Sequence, residues 1–188
     1  MTLKNNLANY FTMLRIILTP ILCLFLLNKF IFKFTVLLFT FIFATDWIDG
    51  FLARKNKVSN LGKILDPVAD KILVFSILLC LVYFRIISIW PFVILLFRDF
   101  LMSSIRTLLA KEKVIYSANI YGKMKTTTQF FSLLFFISSM YYPTNENTHM
   151  ILSRMGLVSL WISVVLSIIS FCVCIFEHKN EIKNMILE

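Results

Sequence analysis

The sequence predicts an all-α protein, an integral membrane bundle of six transmembrane helices formed as one domain over residues 1–188. Three observations carry that expectation. The chain is 59% hydrophobic, and its apolar residues fall in runs at 10–27, 30–44, 72–83, 86–97, 130–140 and 156–176. With their flanks these runs approach or reach the roughly 20 residues that cross a bilayer, which is more than a soluble domain could hide. The cations behind the net charge of +9 stand beside these runs instead of on a hydrophilic domain. Anionic headgroups and phosphorylated substrates therefore suit them better than nucleic acid, which is not expected as a partner.

The first helix follows nine polar residues, with Asn9 or Thr12 as its expected cap. Asn9, Thr12 and Arg15 recur every three residues and so share a broad face. Arg15 stands one or two turns into apolar sequence, where an arginine by default snorkels to the interface. The alternative turns it inward to hold a phosphate. The run is too long, and too weakly followed by small residues, to read as a cleaved signal. Asn28 and Lys29 mark a turn before the second span, 30–53, whose far end carries Asp46, Asp49 and Gly50. A basic loop over 54–60 leads through Gly62 into the third span, which ends near Phe84. Pro67 fits either the first turn of a helix starting near Asp66 or a bend in one begun at Leu61.

After a turn at Arg85 the fourth span runs over 87–110 and contains Arg98, Asp99 and Arg106. Charges of both signs inside an apolar helix suggest a neutralised pair facing the interior. The fifth span grows out of a polar start at 119–129 and ends near Tyr142; the sixth covers 152–176. Between them 143–149 is a polar loop, with His149 as an exposed loop residue. Cys23, Cys80, Cys172 and Cys174 lie within apolar runs and read as packing residues, not as a metal or redox site. With the amino end inside, Lys4, Arg54, Lys55, Lys57, Lys63, Lys111, Lys113, Lys123, Lys125, Lys179 and Lys183 fall on one side, against Lys29, Lys33, Arg85 and Arg154 on the other. The positive-inside rule then places both termini in the cytoplasm.

The stretch DWIDGFLARKNKVSNLGKILDPVAD, residues 46–70, carries the chemistry. Asp46 and Asp49 are three residues apart and Asp66 and Asp70 four, so each pair projects from one helix face. Gly50 and Ala53 continue the first face with small residues. Isolated aspartates often cap helices or solvate loops, but two pairs flanked by Gly50, Arg54 and Gly62 at a membrane boundary point elsewhere. Clustered carboxylates repel unless a cation compensates them. Oxygen ligands without Cys or His suit a hard ion such as Mg2+ or Mn2+, which commonly completes its shell on phosphate oxygens. One of the four must also face an attacking hydroxyl if a proton is to be taken from it.

These residues resemble the signature of the CDP-alcohol phosphatidyltransferase family, DxxDGxxAR followed by GxxxDxxxD. The spacer from Arg54 to Gly62 is one residue shorter than usual, a change in a loop, where length is readily varied. The resemblance implies metal, two ions in all, on Asp46, Asp49 and Asp66, with Asp70 as the base that also touches it. It implies CDP-diacylglycerol bound around Asp49, Gly50, Arg54, Ser59 and Gly62. The pattern NxxTxxR, here Asn9, Thr12 and Arg15, adds those three residues to the same ligand. A small alcohol would then displace CMP from the phosphatidyl phosphorus. YGKMKTTTQ, with RIILTP and DWIDGFLAR, is similar to the branch of the family whose acceptor is sn-glycerol 3-phosphate, with phosphatidylglycerophosphate as product. Arg98, Arg106 and Lys123 would receive the acceptor phosphate, although Lys123 and Lys125 also suit a simple role at an anionic lipid surface.

Other acceptors, namely phosphatidylglycerol, inositol phosphate or serine, belong to sister enzymes with the same signature. A divalent-cation transporter is the rival from a different class, but it calls for charges open to both sides, and here they collect on one. The expected setting is the bacterial inner (cytoplasmic) membrane with the site facing the cytoplasm and membrane lipid around it. The sequence leaves room for a homodimer without requiring one.

Overall fold

The computed structural model describes residues 3–28, 32–53, 60–111, 119–142 and 145–179, and within them the side-chain surroundings of 12–28, 34–44, 65, 67–109, 119–142 and 145–179. Among the described residues six helices follow in order: α1 (Leu3–Leu27), α2 (Phe32–Ala53), α3 (Asn60–Tyr83), α4 (Ile89–Lys111), α5 (Ile120–Tyr141) and α6 (Glu146–Glu177). No strand occurs among the described residues, so the all-α expectation holds. Among those residues α6 is the one helix long and apolar enough by itself to cross a membrane, while Thr12–Leu27 and Phe34–Ala44 are shorter apolar stretches. Charged residues interrupt the others, as Arg98, Asp99 and Arg106 do in α4.

The chain gathers into two compact units, one of Met1–Ile86 with Phe136–Leu152, the other of Ile87–Phe135 with Ser153–Glu188. In the first, α1 packs against both α2 and α3. Its buried residues are Thr12, Arg15, Thr19, Leu22 and Leu26, alternating steps of three and four that keep one stripe turned inward. Thr35, Phe39 and Ile42 do the same for α2, and Ala69, Leu73, Ile77 and Leu81 for α3. The opposite faces remain apolar although exposed: Ile17 is 61% exposed, Phe34 63% and Leu37 61%, where a water-facing helix would carry charge.

Two boundaries differ from the sequence reading, and a third falls on one of its two options. Helix α1 starts at Leu3, which puts Asn9 and Thr12 inside it rather than at its cap. Helix α3 starts at Asn60 and runs through Pro67, the second of the two options, so the backbone gives up one i→i−4 bond there. Helix α6 starts at Glu146, six residues before the expected 152. The reason is a local cap: Thr148 N donates to Asn145 Oδ1 at 3.2 Å and His149 N to Asn145 O at 2.9 Å. Glu146 in the first turn adds a favourable charge at the helix amino end. His149 therefore lies on the first turns of α6, exposed, and not in a loop.

The end of α3 is closed by Ile86 N donating to Leu81 O at 3.0 Å and Arg85 N to Val82 O at 2.9 Å, with Arg85 in the left-handed region at φ 56°. This is the double-bonded helix stop that glycine usually occupies.

In the second unit α6 offers a stripe of small residues. Gly156, Ser163, Ser167, Ser170 and Cys174 are all buried. Side chains from the other two helices reach the backbone they leave open. Ser132 Oγ donates to Gly156 O at 2.9 Å, Arg98 Nε to Ser167 O at 2.8 Å, and Asn119 Nδ2 to Ser170 O at 3.1 Å. Asn119 also caps α5, because its Oδ1 accepts from Gly122 N at 2.9 Å and from Ser170 Oγ at 2.8 Å. A Cβ at Gly122 would stand 3.1 Å from Asn119 Oδ1 and 3.3 Å from Ser170 Oγ, which explains a glycine in the first turn.

Asn119→Ala removes a helix cap and an interhelical bond together, and should cost about 2 kcal/mol. Reversible unfolding in mixed micelles measures it, and Gly122→Ala should show a smaller loss at the same contact.

Candidate functional site

The two halves of the aspartate motif lie at the adjoining ends of consecutive helices, because α2 ends at Ala53 and α3 begins at Asn60. Asp46 and Asp49 are on α2, Asp66 and Asp70 on α3, so each pair rides on a single helix as the spacing predicts. The side chains of Asn9, Asp46, Asp49, Gly50, Gly62 and Asp66 lie outside the described residues, and Arg54 and Ser59 are outside them entirely.

Asp70 is described, and Arg15 is among its partners. A guanidinium nitrogen of Arg15 donates to Asp70 Oδ1 in a short charge-assisted bond from α1 to α3. The two sides of this pair differ sharply in environment, since the Arg15 side chain is 4% exposed and that of Asp70 51%. Thr12, one turn before Arg15, is buried beside it, and Thr19 one turn after donates its hydroxyl to Arg15 O at 2.8 Å. Arg15 thus does not snorkel. The reason is the stripe it belongs to: it is the charged member of the buried α1 face, and a carboxylate on α3 bonds it there.

The second unit holds another charge cluster. Lys125 Nζ donates to both carboxylate oxygens of Asp99 at 2.6 Å, and Arg98 donates to Asp99 Oδ1 at 3.0 Å. All three are well buried, at 5%, 12% and 10% exposure for Lys125, Asp99 and Arg98. The expected neutralised pair on α4 therefore exists, but its main cation comes from α5. Lys125 is not a surface cation, and the lipid-surface reading of it is corrected. Its burial follows from α5 periodicity: Lys125, Gln129, Ser132, Phe136 and Ser139 all face inward, whereas Lys123 lies on the exposed side.

Of the residues expected to receive an acceptor phosphate, Arg98 is committed to Asp99 and the Ser167 carbonyl, while Arg106 and Lys123 are exposed. Gln129 and Ser167 each keep one buried polar atom, Nε2 and Oγ, without a protein partner. The sequence reading missed Gln129, Ser167 and the Asn119–Ser170 clamp. Only Gln129, one helical turn beyond Lys125, carried any signal, and the serines of α6 look like filler until their carbonyls are seen to be used.

A divalent cation fits the oxygen-only donor set of the motif. The described member, Asp70, offers a carboxylate that is half open to solvent, within reach of a hard ion. Among the described residues no three His, Cys, Asp or Glu side chains converge, since three of the four aspartates lie outside them.

Breaking a buried ion pair from one side costs about 3–5 kcal/mol, while replacing both partners by apolar groups can be neutral. Asp99→Leu removes the carboxylate shared by two buried cations and should therefore abolish stable expression, whereas Lys125→Met leaves Asp99 bonded to Arg98 and should lose much less. Size-exclusion profiles of the purified variants decide this.

The family model for CDP-alcohol phosphatidyltransferase matches residues 5–174. The chain is 34% identical over 173 residues to the CDP-diacylglycerol–glycerol-3-phosphate 3-phosphatidyltransferase of Rickettsia felis, covering 90% of this chain and 93% of the relative. It is 32% identical over 180 residues to the protein of the same name from Bacillus subtilis, covering 88% and 91%. A match over that span, with the aspartate motif at the α2–α3 ends inside it, makes this chain a member of the CDP-alcohol phosphatidyltransferase family.

Proposed function

We propose that this chain transfers the phosphatidyl group of CDP-diacylglycerol to sn-glycerol 3-phosphate, giving phosphatidylglycerophosphate and CMP as a step of phospholipid synthesis. The observation that carries the reading is similarity over nine-tenths of the chain to enzymes bearing that name, with the residues of the transfer motif present in order from Asp46 to Asp70. In this reading all six helices cross the inner membrane of a bacterium, with the motif at the cytoplasmic side. The long apolar α6 supports it, as do the exposed apolar faces of α1 and α2 and the one-sided cations.

Asp46, Asp49, Asp66 and Asp70 would hold Mg2+ or Mn2+. Bound there, two such ions supply charge neutralisation at the diphosphate as a phosphorus–oxygen bond breaks. Asp70 takes the proton from the acceptor's hydroxyl. That oxygen bonds to the phosphatidyl phosphorus, and the bond from phosphorus to the bridging oxygen breaks, with the electron pair leaving on CMP. Asn9, Thr12, Arg15, Asp49, Gly50, Arg54, Ser59 and Gly62 are the residues read as binding CDP-diacylglycerol. Arg98, Arg106 and Lys123 are read as receiving the acceptor phosphate, Arg106 and Lys123 being exposed. Buried charge networks elsewhere in the second unit would then keep that face rigid while substrate exchanges.

CMP release measured with CDP-diacylglycerol, Mn2+ or Mg2+, and each acceptor in turn tests the assignment. Glycerol 3-phosphate should support release where phosphatidylglycerol, inositol phosphate and serine do not; silence with glycerol 3-phosphate would overturn it. Asp70→Asn should lower turnover by roughly 10²–10⁴-fold, the usual worth of a positioned base, with CDP-diacylglycerol binding retained. Arg106→Ala should raise the acceptor KM by about tenfold or more, as expected for a lost charged hydrogen bond, and leave the KM for CDP-diacylglycerol near its original value.

A further inference from the structure

The geometry points to a redox-sensitive dithiol: Cys23 of α1 and Cys80 of α3 are placed to close into a disulfide when a lipid-soluble quinone takes two electrons from them. The inference rests on the membrane setting given above and adds to it a modification site away from the aspartate motif. All four cysteines read from the sequence as packing residues, but these two meet. Their thiols stand within hydrogen-bonding reach of each other across the α1–α3 seam. The helix register brings them together independently. Helices α1 and α3 pack on each other, and Arg15 bonded to Asp70 fixes one level of that packing. Separated by a single returning span, the two helices run the same way. Cys23 lies eight residues beyond Arg15 and Cys80 ten beyond Asp70, about 12 and 15 Å further along. Both thiols are half-buried, at the edge of the seam, with Leu22 and Leu26 packed inside on α1 and Ile77 and Leu81 on α3.

With Arg15 and Asp70 near the inner boundary, the pair lies close to the middle of a hydrocarbon core of about 30 Å. The water-borne reductants that keep most intracellular thiols reduced do not reach that depth, whereas a quinone dissolved in the bilayer does. In the step itself both S–H bonds break and the two sulfurs join. The two protons and two electrons convert the quinone to its hydroquinone. Ser76, one turn before Cys80, reaches the Cys23 sulfur with its hydroxyl and supports the negative charge that gathers there as the proton leaves. The product suits its surroundings, because a disulfide carries no charge and no donor into hydrocarbon. The link closes the loop from 23 to 80 and holds α1 to α3 at a second point beyond the Arg15–Asp70 bond. A chain closed in this way has less freedom to gain on unfolding.

The test places the purified full-length protein in proteoliposomes holding a fully substituted benzoquinone, whose ring leaves no open position for a thiol to add. The chain is then denatured, its remaining thiols are capped with N-ethylmaleimide, and it is analysed by mass spectrometry. Of the four cysteines, two should escape capping, and digestion should yield a peptide pair joining Cys23 to Cys80 that dithiothreitol separates. Thermal unfolding in mixed micelles should move up by several degrees once the link has formed. Cys80→Ser or Cys23→Ala should lose both effects. Four capped thiols after treatment with the quinone and, separately, with the water-soluble oxidant diamide overturn the inference. So does a link through Cys172 or Cys174 in place of this one, or an unfolding midpoint left unchanged or lowered by the 23–80 link. A 23–80 link that diamide forms and the quinone does not would instead remove the membrane reading beneath the inference, and the quinone with it.

Discussion

A charged side chain inside an apolar bundle needs a counter-charge within reach, and that requirement organises both units of this protein. In the first unit it is met by Arg15 and Asp70, which join α1 to α3 at the motif end of the helix. The bond does more than hold two helices, because its acidic partner is the last aspartate of the transfer motif. In the proposed reading, packing and chemistry share one carboxylate. The α1 stripe of Thr12, Arg15, Thr19, Leu22 and Leu26 shows how the sequence arranges this: polar residues at one end of the buried face and leucine at the other.

The second unit answers the same requirement with three charges. Lys125 grips both oxygens of Asp99, and Arg98 shares one of them while its Nε binds the Ser167 carbonyl. Small residues on α6 make the arrangement feasible, since helices that approach closely expose carbonyl oxygens with a spare lone pair to neighbouring donors. Asn119, Ser132 and Arg98 each use one. Side-chain to backbone bonds of this kind depend on the neighbour's chain path and not on its side chains, and they tolerate sequence change on α6 as long as the residues stay small.

Much of this was legible from residue spacing. Six apolar runs became six helices, the aspartate pairs fell on single helices, and two of the charged residues of α4, Arg98 and Asp99, bonded to each other. What spacing could not give was the identity of partners across helices. Nothing in the local pattern around Arg15 distinguishes a residue reaching for the interface from one bonded to a carboxylate fifty-five positions away. Lys125 looked like Lys123 in sequence, yet two positions on a helix are about 200° apart, and one turned inward while the other stayed exposed. The early start of α6 was hidden for a different reason: Asn145 and Glu146 read as loop residues, but the asparagine cap converts that polar segment into the first turn.

That early start bears on where α6 would meet a lipid boundary in the proposed membrane setting. Spanning Glu146–Glu177, the helix is roughly 48 Å long at 1.5 Å per residue, well beyond a hydrocarbon core of about 30 Å. In the proposed membrane setting its apolar portion from Gly156 onward would match that core unaided, and Glu146, His149 and Arg154 would stand clear of the acyl chains. Headgroups on that surface would therefore meet an ordered stalk of two to three turns in place of a loose connection, a fixed vertical gauge for how deeply the remainder of α6 can sink.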